Sequence, residues 1–168
     1  MIQKLANKYK TKGKYLEDKV AKIIRENLNL SPADVHRNQT SGVFHWEFGD
    51  IYFRKLAWII ECKNRQEVEL KNLYPNLKPV IEDWYKQLKK DVFKFKQKVR
   101  NECVYCLCVS NSSQRLPIYA IVDQQSYLEF VKKNLIGKFN HFILTNNGYV
   151  ITTLEEFTKQ INLEKLTY

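Results

Sequence analysis

The feature that most constrains this fold is a nearly unbroken apolar run from Leu56 to Cys62, in which Glu61 is the charged residue. A strand that faces water on one side alternates apolar and polar residues, whereas a strand that is covered on both faces does not. The run therefore predicts a buried central strand, with Arg54-Lys55 before it as the tip of a hairpin.

Helical spacing of apolar residues predicts helices over about residues 14–28 and 80–100. The second has acidic residues in its first turn and basic residues at its end, which suits the helix macrodipole. Asp123 is predicted to cap a helix that ends near Leu135, and Thr153 with Glu156 forms a capping-box pattern before a last helix.

Aromatic and β-branched residues between turn signals predict the remaining strands. They are expected at residues 43–53, 104–110, 118–122, 141–144 and 149–152. Polar residues predict a loop at 31–42 and an irregular excursion at 64–79. Together these elements predict an α/β fold with a central mixed β-sheet flanked by helices. The length of 168 residues predicts one domain spanning 1–168.

The chain is strongly basic, with 28 Lys and Arg against 18 Asp and Glu and a formal charge of +10. Such a balance favours a polyanionic partner, and nucleic acid before a membrane. Neither an apolar run long enough to span a membrane nor a signal-peptide pattern is present, so we expect a cytoplasmic protein. Cysteines occur inside apolar runs, which favours buried thiols over a zinc site or disulfides: Cys62, Cys103, Cys106 and Cys108.

Charged residues follow at the end of the predicted central strand. Because a strand alternates faces, Glu61 and Lys63 point the same way and Cys62 points the opposite way. A hairpin at residues 54–55 would bring Asp50 beside Glu61. Two carboxylates suit Mg²⁺, which keeps open positions for a substrate phosphate, and a nearby lysine orients or deprotonates water or offsets developing charge. This combination predicts phosphodiester hydrolysis.

Other readings of these residues remain open from the sequence. Three Glu-x-Lys triplets occur, and only the one at Glu61 follows a buried strand with an aspartate one hairpin earlier. The pair is alternatively a structural ion pair at a strand edge. Glu17 falls inside the apolar stripe of the first helix, so its carboxylate either reaches solvent or faces a site.

In these residues the chain resembles the PD-(D/E)xK nuclease superfamily and, within it, the archaeal and phage Holliday junction resolvases. The resemblance covers about residues 11–63 and is carried by Lys12-Gly13 with Glu17, Ser41-Gly42, Gly49-Asp50-Ile51 and Ile60-Glu61-Cys62-Lys63. It implies a restriction-endonuclease-like fold. We expect the catalytic core at about 11–122 and a C-terminal strand and helix extension at about 123–168.

The resemblance also implies roles for individual residues. Asp50 and Glu61 would bind Mg²⁺, for which Mn²⁺ can substitute, and Glu17 would complete the metal site. The backbone carbonyl of Cys62 would be a further ligand. Lys63 would serve the hydrolytic water.

We accordingly predict a Mg²⁺-dependent endonuclease that cuts branched double-stranded DNA as a homodimer, in the host cytoplasm if the chain is phage-encoded. Basic runs and the resemblance together predict these DNA-binding residues: Lys12, Lys14, Thr40, Ser41, Gln87, Lys94 and Lys98. The alternatives are a general or restriction-like DNA nuclease and a non-catalytic DNA-binding protein with a nuclease-like fold.

Overall fold

The computed structural model describes residues 2–38, 48–66, 68–100, 102–111 and 117–168, with side chains from residue 13 onward. The helices in these ranges are α1 (Ile2–Leu28), α2 (Leu70–Leu73), α3 (Pro79–Lys98), α4 (Gln124–Lys132), α5 (Leu154–Lys159) and α6 (Leu163–Leu166). The strands are β1 (Val35–Arg37), β2 (Ile51–Phe53), β3 (Trp58–Asn64), β4 (Val104–Ser110), β5 (Tyr119–Asp123), β6 (Ile143–Leu144) and β7 (Tyr149–Thr153).

The main sheet has five strands in the order β3-β4-β5-β7-β6. Strands β3 and β4 are parallel, and every other pair is antiparallel, so the predicted mixed sheet is confirmed. Strands β1 and β2 form a separate antiparallel pair. All seven residues of β4 are buried, because this strand has neighbours on both sides and helices over both faces.

Aromatic contacts show that helices cover both faces of the sheet. Trp58 of β3 stacks on Phe157 of α5, with ring centroids 5.8 Å apart. Tyr105 of β4 points to the opposite face, since it follows the partner of Trp58 in the register, and there it packs edge-on against Phe130 of α4. The Lys89 ammonium of α3 donates to the Tyr105 hydroxyl on that same face. Apolar burial on two faces explains the continuous hydrophobic sequence of β3.

Strand β3 lies at the end of the five-stranded sheet, so its predicted central position is wrong. The predicted hairpin ladder between β2 and β3 is also wrong, because β2 pairs with β1 inside the segment that was expected to be a loop. The cause is a long-range contact: Leu56 bridges Thr167, and the Ala57 N–H donates to the Leu166 carbonyl. These bonds direct the chain away from β2 before β3 begins.

Other local predictions agree with the structure more closely. Helix α1 is longer than predicted, and the excursion contains the short helix α2. Asp123 caps α4 by accepting from the Ser126 N–H. Thr153 likewise accepts from the Glu156 N–H, but the Glu156 carboxylate accepts from the Asn140 N–H, so the reciprocal half of the capping box is absent.

The four cysteines named above are free and buried, so the prediction of buried thiols is confirmed. Across the described ranges, no helix combines the length and apolar character needed to span a membrane. The predicted strand residues 43–47 lie outside the described residues.

Gly49 permits a close approach between the segment before β2 and strand β3. Its φ is +75°, and a Cβ there would lie 2.5 Å from the Ile60 carbonyl oxygen. Gly148 also has a positive φ, of +81°, but a Cβ there would meet no atom within 4 Å. A Cβ at Gly148 would therefore introduce backbone strain alone, whereas a Cβ at Gly49 would introduce backbone strain and steric overlap.

We predict that Gly49→Ala lowers the free energy of unfolding by about 2–4 kcal/mol, because left-handed strain and overlap with a backbone carbonyl add. Gly148→Ala should cost only the strain, about 1–2 kcal/mol. Denaturant unfolding of both variants measures the difference. Equal losses would show that the approach of Gly49 to β3 relaxes without cost.

Candidate active site

Glu61 and Lys63 lie on the same face of β3, as the strand alternation predicts. The Lys63 Nζ donates to Glu61 Oε1 at 2.5 Å, and the side chains are 27% and 12% exposed, respectively. The ion pair is therefore largely withdrawn from water, yet it is reachable from one side. A pair in such a position is screened less by solvent than a surface pair.

Asp50 is fixed to the same strand by two hydrogen bonds. Its N–H donates to the Ile60 carbonyl at 2.8 Å, and its Oδ2 accepts from the Cys62 N–H at 2.7 Å. Asn38 holds the other side of this segment, since its N–H donates to the Asp50 carbonyl at 2.8 Å and its amide donates to the Gly49 carbonyl at 3.3 Å. The Asp50 carboxylate is thus held against the backbone between Glu61 and Lys63.

Burial and mutual repulsion shift the carboxylates of this site. Burial raises the pKa of Asp50 to about 6, and the Glu17 charge adds to the shift. Burial and the neighbouring Asp50 charge also raise the pKa of Glu61. Each negative charge is therefore less favourable here than in water, which is the condition that a bound cation relieves.

The same carboxylates stabilise the charged form of Lys63. Burial by itself would lower its pKa, but Glu61 and Asp50 outweigh burial and raise it. Without a metal, Lys63 is therefore an ammonium at neutral pH. It supplies positive charge and hydrogen-bond donors rather than acting as a ready proton acceptor.

Glu17 lies on α1, is partly buried, and is close enough to this group for their charges to affect its pKa. Burial raises its pKa, Arg37 lowers it, and the charges of Glu61 and Lys63 also act on it. Gly13 lies one helical turn earlier, and a Cβ there would be 3.8 Å from Glu17 Oε1. Of the two readings left open by the sequence, partial burial and the influence of Glu61 and Lys63 agree with a carboxylate near the site, and its role there stays a prediction.

Two charged residues near the site are missed by the sequence prediction. Arg37 ends β1, is 23% exposed and places its Nε 3.3 Å from Asp18 Oδ1. Asp91 of α3 is 24% exposed, pairs with Lys94, and its charge raises the pKa of both Asp50 and Glu61. Arg37 lies in a predicted loop, although Val35-His36-Arg37 carries a short strand signal. In the sequence, Asp91 does not differ from an ordinary charged residue on the solvated face of a helix.

The predicted DNA-binding residues are only partly described. Lys14 is exposed on α1, and Gln87, Lys94 and Lys98 are exposed on α3. The side chain of Lys12 and residues Thr40 and Ser41 lie outside the described part of the structure. Their contacts with DNA stay predictions.

The donor set of the site fits a divalent cation. In the described ranges, no group of three or more His, Cys, Asp or Glu residues is arranged to hold a metal ion. Asp50 Oδ1 and Glu61 Oε2 nevertheless make no hydrogen bond with another described residue, so each carboxylate keeps one oxygen available. Mg²⁺ is commonly held by one or two carboxylates and keeps several waters, so these two side chains satisfy its minimum requirement.

We predict that Asp50→Asn stabilises the metal-free protein at pH 8 by about 1–3 kcal/mol, because the amide removes a buried charge and keeps an acceptor for the Cys62 N–H. A raised carboxylate pKa means that wild-type stability falls as pH rises from about 4 to about 6. The gain should therefore shrink toward pH 4. Urea unfolding in chelator at pH 4.5 and pH 8 measures it.

The control for this prediction is Asp83→Asn, which changes a carboxylate that is 69% exposed and paired with Lys86. It should change stability by less than about 0.5 kcal/mol at either pH. A loss of stability in Asp50→Asn at pH 8 would show that the hydrogen bond to Cys62 needs the full charge and outweighs desolvation.

A family model described as "Phage putative PDDEXK endonuclease" matches residues 8–168. No curated protein and no solved structure matches this chain. The matched span includes all the residues of the candidate site and also residues 64–168, beyond the part in which the sequence resembles resolvases. The mixed sheet with helices on both faces agrees with a restriction-endonuclease-like fold. The chain therefore belongs to this family of phage endonucleases, within the PD-(D/E)xK nuclease superfamily.

Proposed function

We propose that this nuclease is a Mg²⁺-dependent endonuclease that resolves four-way DNA junctions, with Mn²⁺ able to substitute. One observation carries the catalytic part of the proposal: the Asp50 carboxylate is hydrogen-bonded to the backbone between Glu61 and Lys63. Two acids and an ammonium therefore meet at one edge of the sheet in a chain with a charge of +10.

Asp50 and Glu61 are the residues that would hold the metal, and Glu17 and the Cys62 carbonyl are the further candidates beside them. A divalent ion supplies a Lewis acid for the phosphate and lowers the pKa of bound water. Its charge would also offset the burial and the mutual repulsion that raise the pKa of Asp50 and Glu61.

Lys63 acts through its charge in this proposal. Its ammonium is held by Glu61 on a buried strand, and so its position is set before substrate arrives. A preoriented cation stabilises the extra negative charge that builds on a phosphate during attack. Since Glu61 contacts Lys63 directly, loss of either side chain also disturbs the other.

Contacts with DNA follow from the basic surface. Lys14 lies three residues before Glu17 on α1, and Lys94 pairs with Asp91, whose charge reaches the site. Lysines in such places bind phosphates without reading base sequence. This suits an enzyme that selects its substrate by shape, and the resemblance of residues 11–63 to resolvases supports a junction as that shape. A homodimer would supply the two active sites that paired cuts require.

We predict that Glu61→Gln and Lys63→Met each lower the rate of junction cleavage by at least about 100-fold while junction binding is kept, because each removes a charge used in the chemical step. A second Glu-x-Lys triplet offers a matched control. Glu69 and Lys71 also form an ion pair, at 2.7 Å, but Lys71 is 77% exposed. Glu69→Gln and Lys71→Met should cleave at nearly the wild-type rate.

Cleavage is measured in single-turnover reactions with labelled junctions, and binding is measured in chelator. If substitutions in the two triplets change the cleavage rate equally, Glu61 and Lys63 take no part in the reaction. Absence of cleavage by the wild-type protein with Mg²⁺ or Mn²⁺, with junction binding kept, would leave the fold as a DNA-binding module.

We predict that a four-way junction is cleaved at least about tenfold faster than a linear duplex of the same sequence, and that chelator abolishes both reactions. Added Mg²⁺ or Mn²⁺ should restore cleavage. Equal rates on both substrates would support a general or restriction-like nuclease instead. Cleavage that persists in chelator would exclude the metal-dependent reaction.

A further inference from the structure

A cavity of about 280 Å³ lies between β2, β3 and the end of α3. Half of its lining residues are aromatic: Phe48, Tyr52, Phe53, Trp58, Phe95 and Tyr168. The volume is just below the range of about 300–1,000 Å³ that is typical for drug-sized ligands. The cavity therefore suits one small planar group.

Trp58 lies in the wall of this cavity and is held in place by its neighbours. Its side chain is 2% exposed, and among the described residues its Nε1 is the buried side-chain polar atom without a hydrogen-bond partner. Stacking against Phe53 at 5.1 Å and Phe157 at 5.8 Å holds the indole in place. Because Nε1 is itself buried, this N–H does not open into the cavity, and Trp58 contributes to the wall through its ring.

The cavity adjoins the candidate active site. Asn38 lines it and donates its N–H to the Asp50 carbonyl at 2.8 Å. Ile51, which follows Asp50, and Ile59, two residues before Glu61, line it as well. An occupant would therefore lie beside the residues that are proposed to hold the metal.

A cation stands at the same cavity. Lys55 lines it, is exposed, and has a φ of +63° at the bend between β2 and β3. An ammonium beside aromatic rings matches the two parts of a nucleotide, since the base stacks on rings and the phosphate attracts cations.

We propose that this cavity receives a nucleobase that is unstacked from the DNA next to the scissile phosphate. The proposal rests on the function proposed above and specifies its substrate further. A nucleobase has a planar ring for the aromatic wall, and its nucleotide carries a phosphate for Lys55. Enzymes that extrude bases hold them in this way, and extrusion costs least where pairing or stacking is already interrupted, as next to a branch.

Photochemical cross-linking tests the proposal directly. Four-way junctions that carry 5-iododeoxyuridine at successive positions around the branch are bound in chelator and irradiated, and mass spectrometry maps the cross-links. We expect one position to cross-link to peptides containing Tyr52, Phe53 or Trp58. Cross-links that map only outside the cavity would overturn the proposal.

Matched variants of α3 and its cap test whether the cavity itself is required. Val99 lines the cavity and is 43% exposed, so Val99→Trp fills the space from its open side. Phe93 is 62% exposed on the same helix and does not line the cavity, so Phe93→Trp is the control. Val99→Trp should lower the cross-link yield about fivefold or more, which corresponds to the weakest base stacking, whereas Phe93→Trp should not. Equal yields would overturn the proposal.

The ¹⁵N signal of the Trp58 indole distinguishes a base of bound DNA from a free nucleotide. Trp58→Phe assigns the signal, and unfolding measurements verify that this variant folds. A shift with junction DNA alone indicates an extruded base. A shift that deoxynucleoside monophosphates also cause, and that Val99→Trp abolishes, indicates that free nucleotides enter too. No shift with either ligand would overturn the proposal.

Cleavage assays separate this inference from the proposed function. Metal-dependent junction cleavage without cavity cross-links would reject the base cavity and leave the resolvase proposal intact. Cavity cross-links without any cleavage would reject the resolvase proposal and leave a base-binding site.

Discussion

The hydrogen bond from the Cys62 N–H to the Asp50 carboxylate is the interaction on which the site depends. β2 and β3 share no continuous ladder, so this bond and the Asp50 N–H donation to Ile60 set their spacing. Gly49 makes the approach possible because a side chain there would overlap the Ile60 carbonyl. Here a contact between a side chain and the backbone sets the spacing that ladder hydrogen bonds set elsewhere in the sheet. The same contact places the Asp50 carboxylate beside the charged end of β3.

The arrangement of charges that suits the proposed chemistry lowers the stability of this region. Burial and mutual proximity raise the pKa of Asp50, Glu61 and Glu17, so folding gathers charges that repel one another. Lys63 offsets part of this repulsion by pairing with Glu61. An apolar core on both sides of β3 maintains the arrangement, since Trp58, Ile59 and Ile60 are almost fully buried. Strained charge distributions of this kind are characteristic of functional sites.

Local sequence patterns predicted the contacts among the candidate residues better than the position of their strand in the sheet. Strand alternation gave the shared face of Glu61 and Lys63, and the apolar spacing of α1 singled out Glu17. The position of β3 at the end of the sheet follows from the contacts of Leu56 with Thr167, which join distant parts of the chain and leave no local pattern. Arg37 and Asp91 were missed for a related reason, because their partial burial is a property of packing between elements and not of their neighbours in sequence.

Because β3 ends the five-stranded sheet, its outer backbone groups risk pairing with strands of other molecules. Asp50 engages two of these groups, since its N–H binds the Ile60 carbonyl and its carboxylate binds the Cys62 N–H. The residue proposed to hold a cation also shields the sheet margin from intermolecular association. Replacement of Asp50 therefore affects solubility as well as chemistry. Asp50→Asn keeps an acceptor for the Cys62 N–H, whereas Asp50→Ala leaves that donor open to a strand from another chain.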